Sequence, residues 1–126
     1  MKTALKDKWA MLNVGLGLVA ASISFWPIAY AEIDMTELSF VLTWALTALF
    51  VGCAGVAFLK KSSMHAAMLT TAGFIASALI RIIFELVLDP TTHNLFPFEI
   101  MLTVLSAFPS SFAGAYATSL LFKKSK

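Results

Sequence analysis

Residues 65–88 read HAAMLTTAGFIASALIRIIFELVL, twenty-four positions in which Arg81 and Glu85 are the only acidic or basic side chains apart from His65 at the start. About 20 predominantly apolar residues suffice to carry a helix across the hydrocarbon core of a bilayer. The stretch therefore predicts a transmembrane helix, and three more runs match it in length: Trp9 to Tyr30, Leu38 to Leu59 and Pro97 to Phe122. Together the four runs take 94 of the 126 positions and leave connections of seven, five and eight residues. Composition agrees, with 60% hydrophobic residues, 13% charged residues and a mean hydropathy of +0.87. Soluble domains carry about 25% charged residues, so an ordinary soluble globule, a disordered chain and a nucleic-acid-binding domain are all excluded. The fold expected is an all-α polytopic membrane protein, a single four-transmembrane-helix domain over residues 1–126. Short connections make successive helices antiparallel neighbours.

The basic residues orient this bundle. Lys2, Lys6 and Lys8 precede the first run, Lys60 and Lys61 follow the second, and Lys123, Lys124 and Lys126 follow the fourth. Glu32, Asp34, Glu37 and Asp89 fall on the opposite side. The positive-inside rule then predicts that both termini are cytoplasmic, in the inner (plasma) membrane of a bacterium. Trp9 and Phe122 fall at the inner boundary and Trp26, Tyr30, Phe96 and Phe98 at the outer one, where amphipathic rings settle. The lysine-rich start, the first apolar run and Ala29-Tyr30-Ala31 also describe a secretory signal. That run exceeds the 7–15 apolar residues of a signal, and is read as a retained helix.

Lipid supplies no hydrophobic force between helices, so small residues that allow close backbone approach mark the contact faces. Such rows occur at Asn13, Gly17 and Ala21; at Ser39, Thr43 and Thr47, then Ala48, Gly52 and Gly55; and at Ala107, Ser111, Ala115 and Ser119, beside Ser110, Gly114 and Thr118. Pro109 falls midway along the fourth run. It predicts a kink that frees the carbonyl near residue 105, with Ser106, Ser110 and Ser111 close enough to serve it.

Arg81, Glu85 and Asp89 are spaced four apart near the outer end of the third run, which places them nearly one above another, with Ser77 and Gly73 continuing the row inward. Arg81 lies roughly 10 Å below the end of its helix. An arginine there costs about 2.5–3.5 kcal/mol before pairing, so a carboxylate partner is expected, from Glu85 or from Glu99 on the next helix. Two readings follow: an ion pair that fixes helix register, or a proton, ion or substrate site. In the connecting loop, Asp89 with Pro90 signals a helix start or a turn, Asn94 a cap, and Pro97 and Glu99 the first turn of the fourth helix. Glu85, Asp89, His93 and Glu99 carry metal-ligating atoms, but their spacing matches no metal motif.

No glycine-rich phosphate loop, HExxH, GxSxG or CxxC is present, and Cys53 is the single cysteine. No cofactor is expected: neither histidine lies deep in a run to hold a haem, and the six methionines form no copper-binding tract. Length and span number resemble those of small multidrug-resistance transporters, whose first helix carries a membrane-embedded Glu; here that helix offers Asn13 and serines. The function expected is a non-enzymatic accessory subunit packed within a larger membrane complex. The alternative is a homo-oligomeric transporter or channel using Arg81, Glu85, Asp89, His93 and Glu99 near the outer mouth. The partners expected are the lipid bilayer, other membrane subunits or further copies of the chain, and no nucleic acid.

Overall fold

The computed structural model describes residues 2–26, 38–59, 62–90 and 96–124 and is all-helical, with α1 at Lys2–Phe25, α2 at Leu38–Ala57, α3 at Ser63–Leu88 and α4 at Phe96–Lys124. Three helical segments, Leu38–Ala57, Ser63–Leu88 and Pro97–Lys123, are long and apolar enough to cross a membrane, the make-up of an integral membrane protein. In α1 the apolar segment is the shorter Lys8–Ser24. The expected first span ran to Tyr30, but the helix ends at Phe25 and Trp26 forms a turn, its amide still donating to the Ser22 carbonyl at 2.9 Å. Pro27 explains the early stop, because its ring disfavours helical geometry in the residue before it. At the other end nothing breaks the helix between Lys2 and Lys8, and it starts before the apolar run. Ser62 caps α3, its hydroxyl accepting from the His65 amide at 3.4 Å, and exposed His65 lies at that helix start as expected.

The interior is built from small and polar residues. Ala21, Ala48, Ala66, Ala67, Ala107 and Ala115 are fully buried, as are Asn13, Thr70, Ser77, Thr103 and Ser111, whereas Phe50, Phe58, Ile23, Val87 and Leu121 point outward. Water would penalise that distribution, since an exposed large apolar side chain forgoes about 1.5–3 kcal/mol of burial. In hydrocarbon it costs nothing. One aromatic group fills the centre: buried Trp44 meets Phe74 edge to face at 5.0 Å and stacks on Phe40 at 5.4 Å.

Consecutive helices run antiparallel, as expected from the short connections, but the most extensive packing is between helices two apart in sequence. Asn13 meets Thr70 and Ser22 meets Ser77, so α1 and α3 run parallel. Phe74 packs in one cluster with Ala107, and Ala66 in another with Ala115, so α4 runs back along α3. Gly55 lies against Asn13 and Ala66, which turns α2 antiparallel to both α1 and α3 and therefore parallel to α4. Going round the bundle the order is α1, α3, α4, α2, with no close backbone approach between α1 and α4 among the described residues. The start of α1 and the end of α4 consequently share one end of the assembly.

Glycine makes the two parallel pairings close. A β-carbon on Gly73 would strike the Val14 carbonyl and the Leu18 amide of α1, and one on Gly52 would strike the Ser111 backbone of α4. These are backbone contacts that no rotamer change relieves.

Pro109 lies inside α4, which continues as helix on both sides. The nearby hydroxyls go elsewhere than expected: Ser106 donates to the Leu102 and Thr103 carbonyls at 2.8 and 3.2 Å, and Ser111 to the Phe108 carbonyl at 3.1 Å and the Ala67 carbonyl of α3 at 3.4 Å. A helical serine reaches back three or four residues. Only positions 108 and 109 are spaced to serve the carbonyl of residue 105, and these are Phe and Pro.

Candidate functional site

Three polar levels stack along the α1/α3 contact. At the level nearest the start of α1, fully buried Asn13 donates from Nδ2 to Thr70 Oγ1 at 3.1 Å, while its Oδ1 faces Gly55 with no hydrogen-bond partner among the described residues. One level on, Ser22 donates to the Leu18 carbonyl at 2.7 Å and is 2.8 Å from Ser77 Oγ. Its one proton being committed to Leu18, Ser77 is the donor between the two hydroxyls. The third level is the ion pair, Arg81 Nε donating to Glu85 Oε1 at 2.5 Å, one turn apart on α3.

Arg81 is 7% exposed and Glu85 18%, so the pair is held largely out of solvent. The two line an open groove of about 540 Å³ together with Trp26, Ile80, Phe84 and Leu88. Arg81 preceding Glu85 is the less favourable order for a pair within one helix. Burial compensates by lowering the local dielectric and strengthening their attraction.

The other expected site residues lie at helix ends or outside the described residues. Exposed Asp89 is the C-cap of α3, extended at φ −147° and ψ 101°, with its amide donating to the Glu85 carbonyl at 2.8 Å. With Pro90 it ends a helix, as the turn reading of Asp-Pro implies, because a residue before proline leaves helical geometry. Glu99 occupies the first turn of α4, where a carboxylate complements the helix dipole, and its backbone carbonyl accepts from Thr103 Oγ1 at 2.9 Å. His93 and Asn94 lie outside the described residues, as do Glu32, Asp34, Glu37, Lys60, Lys61 and Lys126. Among the described residues no three His, Cys, Asp or Glu side chains form a group that could hold a metal ion.

Sequence reasoning singled out Asn13 and Ser77 each within its own helix and did not join them to Thr70 and Ser22. No shared spacing marked them, since Asn13 and Ser22 differ by nine and Thr70 and Ser77 by seven, and only the packing of α1 on α3 joins the pairs. A double-mutant cycle on Asn13→Ala and Thr70→Val is expected to give a coupling of about 0.6 kcal/mol, the average for interhelical hydrogen bonds in membranes. Denaturant titration in detergent measures it, and additive effects would show that the bond contributes nothing net.

A second feature lies on α4 and was not anticipated. Phe108, Phe112 and Tyr116 form a row of stacked rings, with centroids 6.3 and 6.0 Å apart and planes inclined by 17° and 12°. Tyr116 is 50% exposed, and its hydroxyl makes no hydrogen bond among the described residues.

No protein-family model, curated protein or solved structure matches this chain.

Proposed function

We propose that the chain is an integral protein of the bacterial inner membrane, with both termini cytoplasmic, that serves without catalysis as an accessory subunit of a larger membrane assembly. The lysines at the shared end of α1 and α4 support the orientation. The observation that carries the subunit reading is the aromatic row on α4. Tyr116 precedes Lys123 by seven residues, about 10 Å along the axis and thus inside the hydrocarbon region if the lysine lies at the membrane surface. Side chains lean toward the N-terminus of their helix, so the Tyr116 ring tilts further inward, away from the lysine end. A hydroxyl there finds no acceptor in lipid. A helix of a neighbouring subunit can supply one, and pre-stacked rings offer a large contact area at little entropic cost.

A photoreactive side chain substituted at Phe112 in native membranes tests this. The expected product is a covalent adduct with a different membrane protein, reduced several-fold by Tyr116→Ala. Adducts with lipid alone would remove the reading, and an adduct between two copies would replace it with self-association. The second reading, a small transporter or channel, is favoured by one observation, the open groove that the Arg81–Glu85 pair helps to line.

A further inference from the structure

Five of the six glycines are pressed against a neighbouring helix, so that a β-carbon at Gly17, Gly52, Gly55, Gly73 or Gly114 would approach another chain segment to 3.0 Å or less. Gly15 is the exception: a β-carbon there meets nothing within 4 Å. A glycine in a helix interior weakens that helix by about 1 kcal/mol relative to alanine. At Gly15 no packing among the described residues accounts for that cost.

The surroundings of Gly15 give it a shape and a polarity. A shallow groove of about 580 Å³ runs along α1, lined by Lys8, Met11, Leu12, Gly15, Leu16 and Val19, and Gly15, having no side chain, leaves a notch in it. All but Lys8 are apolar, and Lys8 stands exposed at the end shared with the other lysines. From Lys8 to Val19 the groove is about 16 Å long. One leaflet of a hydrocarbon core of about 30 Å has that depth.

The charge selects among occupants. Two copies meeting on this face across a two-fold axis along the membrane normal would bring their Lys8 ammonium groups together, and like charges oppose that contact. An anion is attracted instead. We propose that this groove binds an anionic phospholipid of the leaflet at the lysine-rich end, with its phosphate at the Lys8 ammonium and one acyl chain laid over the Gly15 notch between Met11, Leu12, Leu16 and Val19. The groove is on α1 and the aromatic row on α4, so this inference and the subunit reading stand or fall separately.

Spin-labelled phosphatidylglycerol and spin-labelled phosphatidylcholine, each in phosphatidylcholine vesicles holding the full chain, provide the test. The motionally restricted fraction is expected to favour phosphatidylglycerol about fivefold, the factor that one lysine contributes at an anionic surface. Gly15→Leu keeps every charge and fills the notch at a position whose β-carbon meets no described residue, and should bring the preference close to unity while helix content and thermal unfolding stay unchanged. Lys8→Glu, a change at an exposed side chain that leaves the bundle interior intact, should reverse the preference. Three results would overturn the proposal: no preference in the unmodified chain, a preference that survives Gly15→Leu, which diffuse attraction to the lysines would produce, or a change of oligomeric state on Gly15→Leu, which would mark the notch as a helix contact.

Discussion

Gly52→Val is expected to be the most disruptive single change in the chain. The new β-carbon would run into the carbonyl oxygen, carbonyl carbon and Cα of Ser111, all backbone atoms of α4. The two helices must then separate, and Ser111, fully buried and donating to the Ala67 carbonyl of α3, moves with α4. Overpacking of a close contact typically costs about 1–3 kcal/mol and occasionally more. The upper end is expected here, since no side chain can rotate away and the contact ties three helices. Thermal unfolding followed by circular dichroism in detergent measures the effect, with Gly15→Ala as the reference that should unfold no lower than the original chain. An unchanged midpoint for Gly52→Val would contradict the α2/α4 packing.

Arg81→Met is the second large effect, and its logic is electrostatic. The substitution keeps an unbranched side chain of similar length but leaves the Glu85 carboxylate largely buried without its guanidinium partner. Breaking a buried pair by removing one member costs about 3–5 kcal/mol. Removing both members is a different experiment, because two apolar side chains need no desolvation. Arg81→Met/Glu85→Leu should therefore recover most of the stability lost in Arg81→Met. Equal instability of the single and double variants would show that Arg81 acts through contacts other than Glu85. The double variant also separates the two functional readings. A folded double variant that abolishes ion flux in liposomes would assign the pair to transport, and one that keeps its partners and loses nothing else would leave it a structural clamp.

The contrast between these two sites explains what could be read from the chain before its fold was known. Arg81 and Glu85 are four apart on one helix, and their contact depends only on local helical geometry. Glu85 was therefore legible in residues 65–88 as one candidate partner, with Glu99 of the next run as the other. Gly52 was visible as a member of a small-residue row, but its contact with Ser111 spans fifty-nine positions and depends on which two of four helices are parallel neighbours. Connection length speaks only to consecutive helices. It correctly makes them antiparallel and does not reveal that α1 packs most extensively on α3, and α2 on α4. The end of α1 was misjudged for a local reason: apolar character continues to Tyr30, whereas Pro27 ends the helix at Phe25.

The amino-acid sequence by itself determined the medium this protein is built for, the number of its helices and their alternating direction, because hydrophobic length, charge placement and short connections are properties of single segments and their neighbours. It also marked Glu85 and Glu99 as the carboxylates available to Arg81. Only the tertiary structure decided which helix faces meet, joining Asn13 to Thr70 and Ser77 to Ser22, and which faces no described helix packs over, the Gly15 groove and the outer side of the row from Phe108 to Tyr116. Helices in lipid gain nothing from hiding apolar surface, so their pairing rests on backbone fit at a few small residues. That fit is a property of two helices together, and neither carries it alone.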